Sequence, residues 1–228
     1  FINKPIEKSI NNYYINDAKK MIEQSPDLKV IGVTGSYGKT TTKFILNRIL
    51  SEKYNTVCTP QSFNTPMGVV RTIREKLQPQ TEIFVCEMGA KNVGDIKEIC
   101  DIVHPKHSII TSIGEQHLET FGSVENIIKT KFELADEVKN NGGKVYLNVY
   151  NQYIAEKQGE YDSITYSIDG KADIVAKNVK CDKNGLSFTV EYKDKKIKLT
   201  TELLGSHNVL NIMAAVGIAI DMGVSEND

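Results

Sequence analysis

Short β-branched runs alternate with longer stretches of helical period through residues 29–148. Strand-type runs fall at 29–34, 56–59, 82–87, 107–113 and 144–148, and helical patterns separate them at 40–53, 68–77, 93–103 and 123–138. This alternation predicts an α/β fold, a mostly parallel sheet with helices on both faces. Right-handed crossovers bring the strands' carboxyl ends to one edge, where such sheets bind ligands. After Glu160 the runs shorten to 163–167, 173–181, 186–192 and 196–203, with turns at Asp169-Gly170 and Asn184-Gly185. They predict a small antiparallel β insert over about 161–203, whose lysines between Lys171 and Lys198 protect exposed edges. A last helix over 206–222, apolar on most faces, is expected to lie buried on the sheet. Residues 1–27 are polar, with a short amphipathic helix near 16–24, and read as a lead-in or linker to a domain spanning 28–223.

The 228 residues suit one such domain, which buries roughly 70% of its unfolded surface. The balance of 28 Lys+Arg against 29 Asp+Glu carries no basic bias, so small molecules are expected as partners and no nucleic acid. Cys58, Cys86, Cys100 and Cys181 lie far apart with no zinc spacing, which suggests reduced thiols in a cytoplasmic protein. No signal peptide is visible, and the most apolar stretch, 212–220, is too short to cross a membrane. The chain opens on Phe1 and ends in a polar tail, 224–228. It is therefore expected to be a piece of a longer protein, with that tail beginning a linker to a further domain.

The candidate chemistry lies at the predicted strand ends. The first strand runs into Gly35-Ser36-Tyr37-Gly38-Lys39-Thr40-Thr41 and then a helix. Glycines let backbone N–H groups approach phosphate, Lys39 can reach the β- and γ-phosphates, and the Thr40 hydroxyl can bind Mg²⁺. The strict phosphate-loop pattern wants glycine where Val33 stands, so the loop is a variant with Gly32 and Gly35 on either side. The strand at 82–87 closes on Glu87, a carboxylate able to hold Mg²⁺ opposite Thr40. The strand at 107–113 leads into a loop with His117. In the following helix, Ile127, Ile128, Leu134, Ala135 and Val138 form an apolar stripe that contains Lys131, whereas Lys129 falls on the polar face with Glu125 and Glu133. Lys131 is thereby either carried toward the sheet, where desolvation makes it a neutral nucleophile, or snorkels outward on a buried stem.

Taken together, the Gly35–Thr41 loop, Glu87, His117-Leu118-Glu119, Lys131 and residues 205–211 (Gly-Ser-His-Asn-Val-Leu-Asn) resemble the central ATP-binding domain of the Mur ligase family. The His-Leu-Glu-x-Phe-Gly-Ser run and the loop 64–68 (Asn-Thr-Pro-Met-Gly) most resemble its MurF branch, although the match around 62–69 is loose. The resemblance covers about 29–223. It implies ATP-dependent ligation, in which a peptide carboxylate of a UDP-muramoyl peptide becomes an acyl phosphate that the amine of D-Ala-D-Ala attacks. It also implies roles. Gly35 to Thr41 would bind ATP; Thr40, Glu87, His117 and Lys131 would hold two Mg²⁺ ions, Lys131 as a carbamate made with CO₂. Asn211, with Asn208 and His207, would face the adenine, and Asn64 and Thr65 would touch the muramoyl peptide. The flanking UDP-binding and amino-acid-binding domains of the family are not encoded here, so the chain alone is expected to bind ATP weakly and not to ligate. The alternatives are a folylpolyglutamate- or poly-γ-glutamate-type ligase, a non-catalytic nucleotide-binding relative, or a P-loop kinase or GTPase. Against the last, Arg48, Arg71 and Arg74 all fall in predicted helices, not in a lid over phosphate.

Overall fold

The computed structural model describes residues 3–226, so the first two residues of the predicted lead-in and the last two of the predicted linker lie outside the described residues. Among the described residues nine strands form one sheet in the order β2-β3-β1-β4-β5-β6-β7-β8-β9. They are β1 (Lys29–Thr34), β2 (Thr56–Cys58), β3 (Ile83–Glu87), β4 (His107–Ile110), β5 (Lys144–Asn148), β6 (Ser163–Ser167), β7 (Ile174–Asp182), β8 (Gly185–Tyr192) and β9 (Lys195–Thr201). Every pairing from β2 through to β6 with β7 is parallel, and only β7 with β8 and β8 with β9 are antiparallel. The residues expected to form a separate insert thus extend the main sheet. Period-2 runs joined by Gly turns signal hairpins, but do not reveal that 163–167 pairs back onto β5.

The α-helices among the described residues are α1 (Asn3–Glu23), α2 (Lys39–Leu50), α3 (Pro66–Lys76), α4 (Asp95–Val103), α5 (Leu118–Phe121), α6 (Val124–Asn140), α7 (Gln152–Ala155) and α8 (His207–Asp221). Because side chains alternate across a strand, each central strand feeds two cores. Val30, Phe84, Cys86, Ile110 and Leu147 point to the face covered by α1, α3, α4 and α6. Ile31, Val33, Val85, Ile109 and Tyr146 point to the face covered by α2 and α8. Nearly every side chain of α8 from Val209 to Ala219 is buried, as its apolar sequence predicts. Its last residue, Asp221, accepts hydrogen bonds from Tyr146 Oη (2.6 Å), Tyr192 Oη (3.1 Å) and Lys193 Nζ (2.5 Å), which fasten the helix to β5 and β8.

Helix α1 is much longer than the predicted 16–24. Its second half packs Tyr14, Ile15, Ala18, Met21 and Ile22 against the core, and Arg74 on α3 pairs with Asp17 at 2.7 Å. Over residues 5–13 the helix faces solvent, and Ile6, Ile10 and Tyr13, although at helical spacing, stand exposed there. Among the described residues no helix is long and apolar enough to cross a membrane.

Candidate active site

The phosphate loop occupies the carboxyl edge of the sheet, between β1 and α2. It turns at Gly35 (φ 147°) and Gly38 (φ 83°), both in conformations that L side chains avoid. A Cβ on Gly35 would lie 2.1 Å from Thr111 Oγ1 and 2.9 Å from the Ser112 carbonyl. The loop is pinned to the segment after β4. Ser36 N–H donates to Ser112 O (2.7 Å), Tyr37 N–H donates to Ser112 Oγ (3.0 Å), and Thr111 Oγ1 donates to Tyr37 O (2.6 Å). The Ser36 hydroxyl bonds the main chain of Gly114. Helix α2 begins with Gly38 as its N-cap and no side chain covering its first N–H groups, which leaves them open to an anion. Lys39 Nζ lies over the loop, donating to the carbonyls of Gly35 (2.8 Å) and Ser36 (3.1 Å). Burial lowers its pKa, against the opposing effect of the Glu87 charge.

Glu87 ends β3, 1% exposed, and its two oxygens lie 3.1 and 3.0 Å from Thr40 Oγ1. With Mg–O bonds of 2.0–2.1 Å, adjacent ligands of an octahedral Mg²⁺ stand roughly 3 Å apart. The hydroxyl and carboxylate therefore fit one edge of such a site. Among the described residues no group of three or more His, Cys, Asp or Glu forms a metal cage, so phosphate oxygens and water would complete the coordination.

Two cavities flank the loop. One, of about 340 Å³, is lined by Lys39, Asn64, Thr65, Asp95, His117 and Lys131, among others. Lys131 is 4% exposed on the inner face of α6, while Lys129 is exposed, so the side chain does not snorkel outward. Burial first, and then repulsion from Lys39, bring its pKa down to about 8. A fraction of the amine is thereby neutral near physiological pH. His117, exposed and in a left-handed conformation (φ 60°), is the N-cap of the short helix α5, where the sequence pattern predicts a loop. Asn64, expected to face substrate, also donates through Nδ2 to Glu87 Oε1 at 3.0 Å. The second cavity, of about 360 Å³, is lined by Tyr37, Gly38, Ser112, His207, Leu210 and Asn211, among others. Asn208 is buried beneath it, its Oδ1 accepting from Asn211 Nδ2 (3.0 Å), so it supports Asn211 and does not line the space. The Thr41 side chain is half-buried beside the loop.

Residues 33–219 match the model of the Mur ligase middle domain. The chain belongs to this family. As a Mur ligase middle domain it is 32% identical over 200 residues to the UDP-N-acetylmuramoyl-tripeptide--D-alanyl-D-alanine ligase of Bacillus subtilis, covering 88% of this chain and 43% of that one. Its fold is similar to that of MurF from Acinetobacter baumannii (TM-score 0.85, 30% identity, covering 94% of this chain and 47% of that chain). It is also similar to MurF from Thermotoga maritima in complex with ADP (TM-score 0.84, 28% identity, 94% and 50%). The chain spans about half the length of these relatives.

The middle domain holds three functional-edge residues beyond those that its sequence motifs single out. Thr111 and Ser112 anchor the phosphate loop, which polar residues at a strand end signalled only weakly. Lys43 is fully buried on α2 and pairs with Glu87 at 2.9 Å. It shares a stripe with Leu46 and Leu50, the same displacement of a lysine into an apolar face that singled out Lys131.

Proposed function

We propose that this chain is the ATP-binding core of a MurF-type ligase. In the reaction, the γ-phosphoryl group of ATP passes to a peptide carboxylate of a UDP-muramoyl peptide, giving ADP and an acyl phosphate. The amine of D-Ala-D-Ala then attacks the acyl carbon, and phosphate leaves as the amide forms. The observation that carries this reading is Lys131, a buried amine of lowered pKa that shares one cavity with the phosphate-loop lysine. A plain nucleotide-binding loop has no use for it. The names of the relatives support the choice of substrates.

The open N–H groups of α2 and Lys39 would hold the phosphates, and Tyr37, His207 and Asn211 would border the base. Thr40 and Glu87 would take one Mg²⁺, and His117 with Lys131, the latter as a carbamate formed from its neutral amine and CO₂, would take a second. Bound there, Mg²⁺ would spread the charge of phosphoryl transfer. Asn64 and Thr65, at the mouth of the same cavity, would meet the muramoyl peptide. The four free cysteines suit the cytoplasm as its compartment.

The test is phosphate release by the whole protein that carries this sequence. Release is expected only when ATP, a UDP-muramoyl tripeptide and D-Ala-D-Ala are all supplied. Turnover with glutamate and a folate in their place would overturn the assignment and favour the folylpolyglutamate-type alternative.

A further inference from the structure

Lys43 lies one turn along α2 from Lys39, and its side chain is 0% exposed. The ammonium donates to Glu87 Oε2 at 2.9 Å and to the main-chain carbonyl of Gln61. Gln61 sits between β2 and α3 at φ 43°, a left-handed conformation that a glutamine adopts only when its surroundings hold it there. Three residues on, Asn64 returns to the same carboxylate through its 3.0 Å bond to Oε1, and its carbonyl accepts from Gly89 N–H at 2.7 Å. The segment 59–65 is thus fastened to Lys43 of α2 at Gln61 and to the end of β3 at Asn64. Thr59 begins it by accepting the N–H of Glu87 at 3.0 Å.

An ion pair buried this deeply is weak grounds for stability, because a methionine or leucine at 43 would complete the stripe with Leu46 and Leu50 without the cost of desolvating two charges. The contacts of the ammonium give a different reason for the lysine. Among the described residues it is the one side chain that hydrogen-bonds both the carboxylate facing Thr40 and the backbone of the segment leading to Asn64 and Thr65. We infer that Lys43 is a positioning residue that aims Glu87 at the Thr40 edge and sets the segment 59–65 by the same contact, so that the nucleotide-metal site and the peptide-facing loop are ordered together. The inference rests on the reading of Thr40 and Glu87 as the place of a nucleotide-bound Mg²⁺.

The test compares Lys43→Met and Gln61→Pro with the unaltered protein. ADP affinity is measured by calorimetry with Mg²⁺ and with EDTA, and amide hydrogen exchange is followed over 59–65. Proline cannot adopt the φ of Gln61, so Gln61→Pro withdraws the carbonyl from Lys43 at an exposed position that leaves the core intact. The Mg²⁺-dependent gain in ADP affinity is expected to fall about tenfold or more in Lys43→Met, the range for residues that orient a metal ligand from behind, and by a smaller factor in Gln61→Pro. Affinity in EDTA should stay near the unaltered value, and exchange over 59–65 should quicken in both. Folded variants with the original Mg²⁺ gain overturn the inference, even if the loop exchanges faster. Should Lys43→Met not fold, Gln61→Pro decides by the same criterion. ADP binding indifferent to Mg²⁺ in the unaltered protein counts against the proposed function instead. The exchange data then still decide whether Lys43 holds the segment: faster exchange in Lys43→Met supports the tie, and unchanged exchange overturns it.

Discussion

Lys131 is held at a pKa of about 8, against 10.5 for an ordinary lysine, by burial and by Lys39. Between those two values the unfolded chain binds more protons than the folded one, so stability rises with pH through that window, and the full cost is present below pH 8. Lys131→Met is accordingly expected to raise the melting temperature at pH 7, with the gain shrinking as the pH approaches 10.5. Thermal denaturation across that range checks it. The same residue carries the chemistry in the proposed function, so Lys131→Ala in the whole protein should lose ligase activity by about 100-fold or more, with partial recovery on adding short-chain carboxylates in place of the carbamate. Full activity without additive would count against that role. The place of Lys131 inside an apolar stripe was legible in one sequence, but the choice between an inward and a snorkelling side chain was settled only by its burial in the fold. Lys43 gave the same signal, but its partner Gln61 gave none. The left-handed turn there is fixed by contacts from α2, a distant part of the chain.

At the level of elements, the two glycines around Val33 do different work. Gly35 makes the turn itself, and a methyl group there meets Thr111 Oγ1 and the Ser112 backbone while forcing a disfavoured φ. Gly35→Ala should cost about 2 kcal/mol or more in urea unfolding. Gly32 lies within β1, where a Cβ would come within 2.5 Å of Leu134 Cδ1. Its missing side chain lets α6 settle against the strand with Lys131 one turn away. Because the obstructing atom is the end of a flexible chain, Gly32→Ala should cost less, about 1 kcal/mol. The departure at Val33 was legible in the sequence, but the closeness of Gly32 to Leu134 on α6 was visible only in the packing. Strand and helix positions were legible wherever an element had a buried face. The first half of α1 and the four-residue helices α5 and α7 were not: Ile6, Ile10 and Tyr13 recur at helical spacing but face solvent and so mark no buried face, and a four-residue helix is too short to show a period.

At the scale of the molecule, the sheet ends in edges of different kinds. β2 is only three residues long, whereas β9 presents seven residues with Lys196 and Lys198 on its exposed positions. Charges on a long edge oppose pairing with another chain. Lys196→Val with Lys198→Val should leave the unfolding midpoint nearly unchanged and raise light scattering at high protein concentration; clear solutions would refute this reading of the lysines. Lysines on an edge were legible from the alternation alone. The continuity of that edge with the parallel sheet was not, because strand order is set by pairing across long sequence separations.

Strand order also bears on how the chain is made. β1 lies in the middle of the parallel region, and its neighbours are β3 and β4, with Lys29 opposite Ile83 and Ile31 opposite His107. A ribosome delivers β1 first, so the apolar strand that will carry the phosphate loop emerges with neither neighbour yet translated. β7, β8 and β9, by contrast, are joined by tight turns and can pair as they appear, since closing a short loop costs little entropy. The nascent chain thus passes through a stage in which its most functional strand is its least protected, and during that interval it is a natural client for a chaperone.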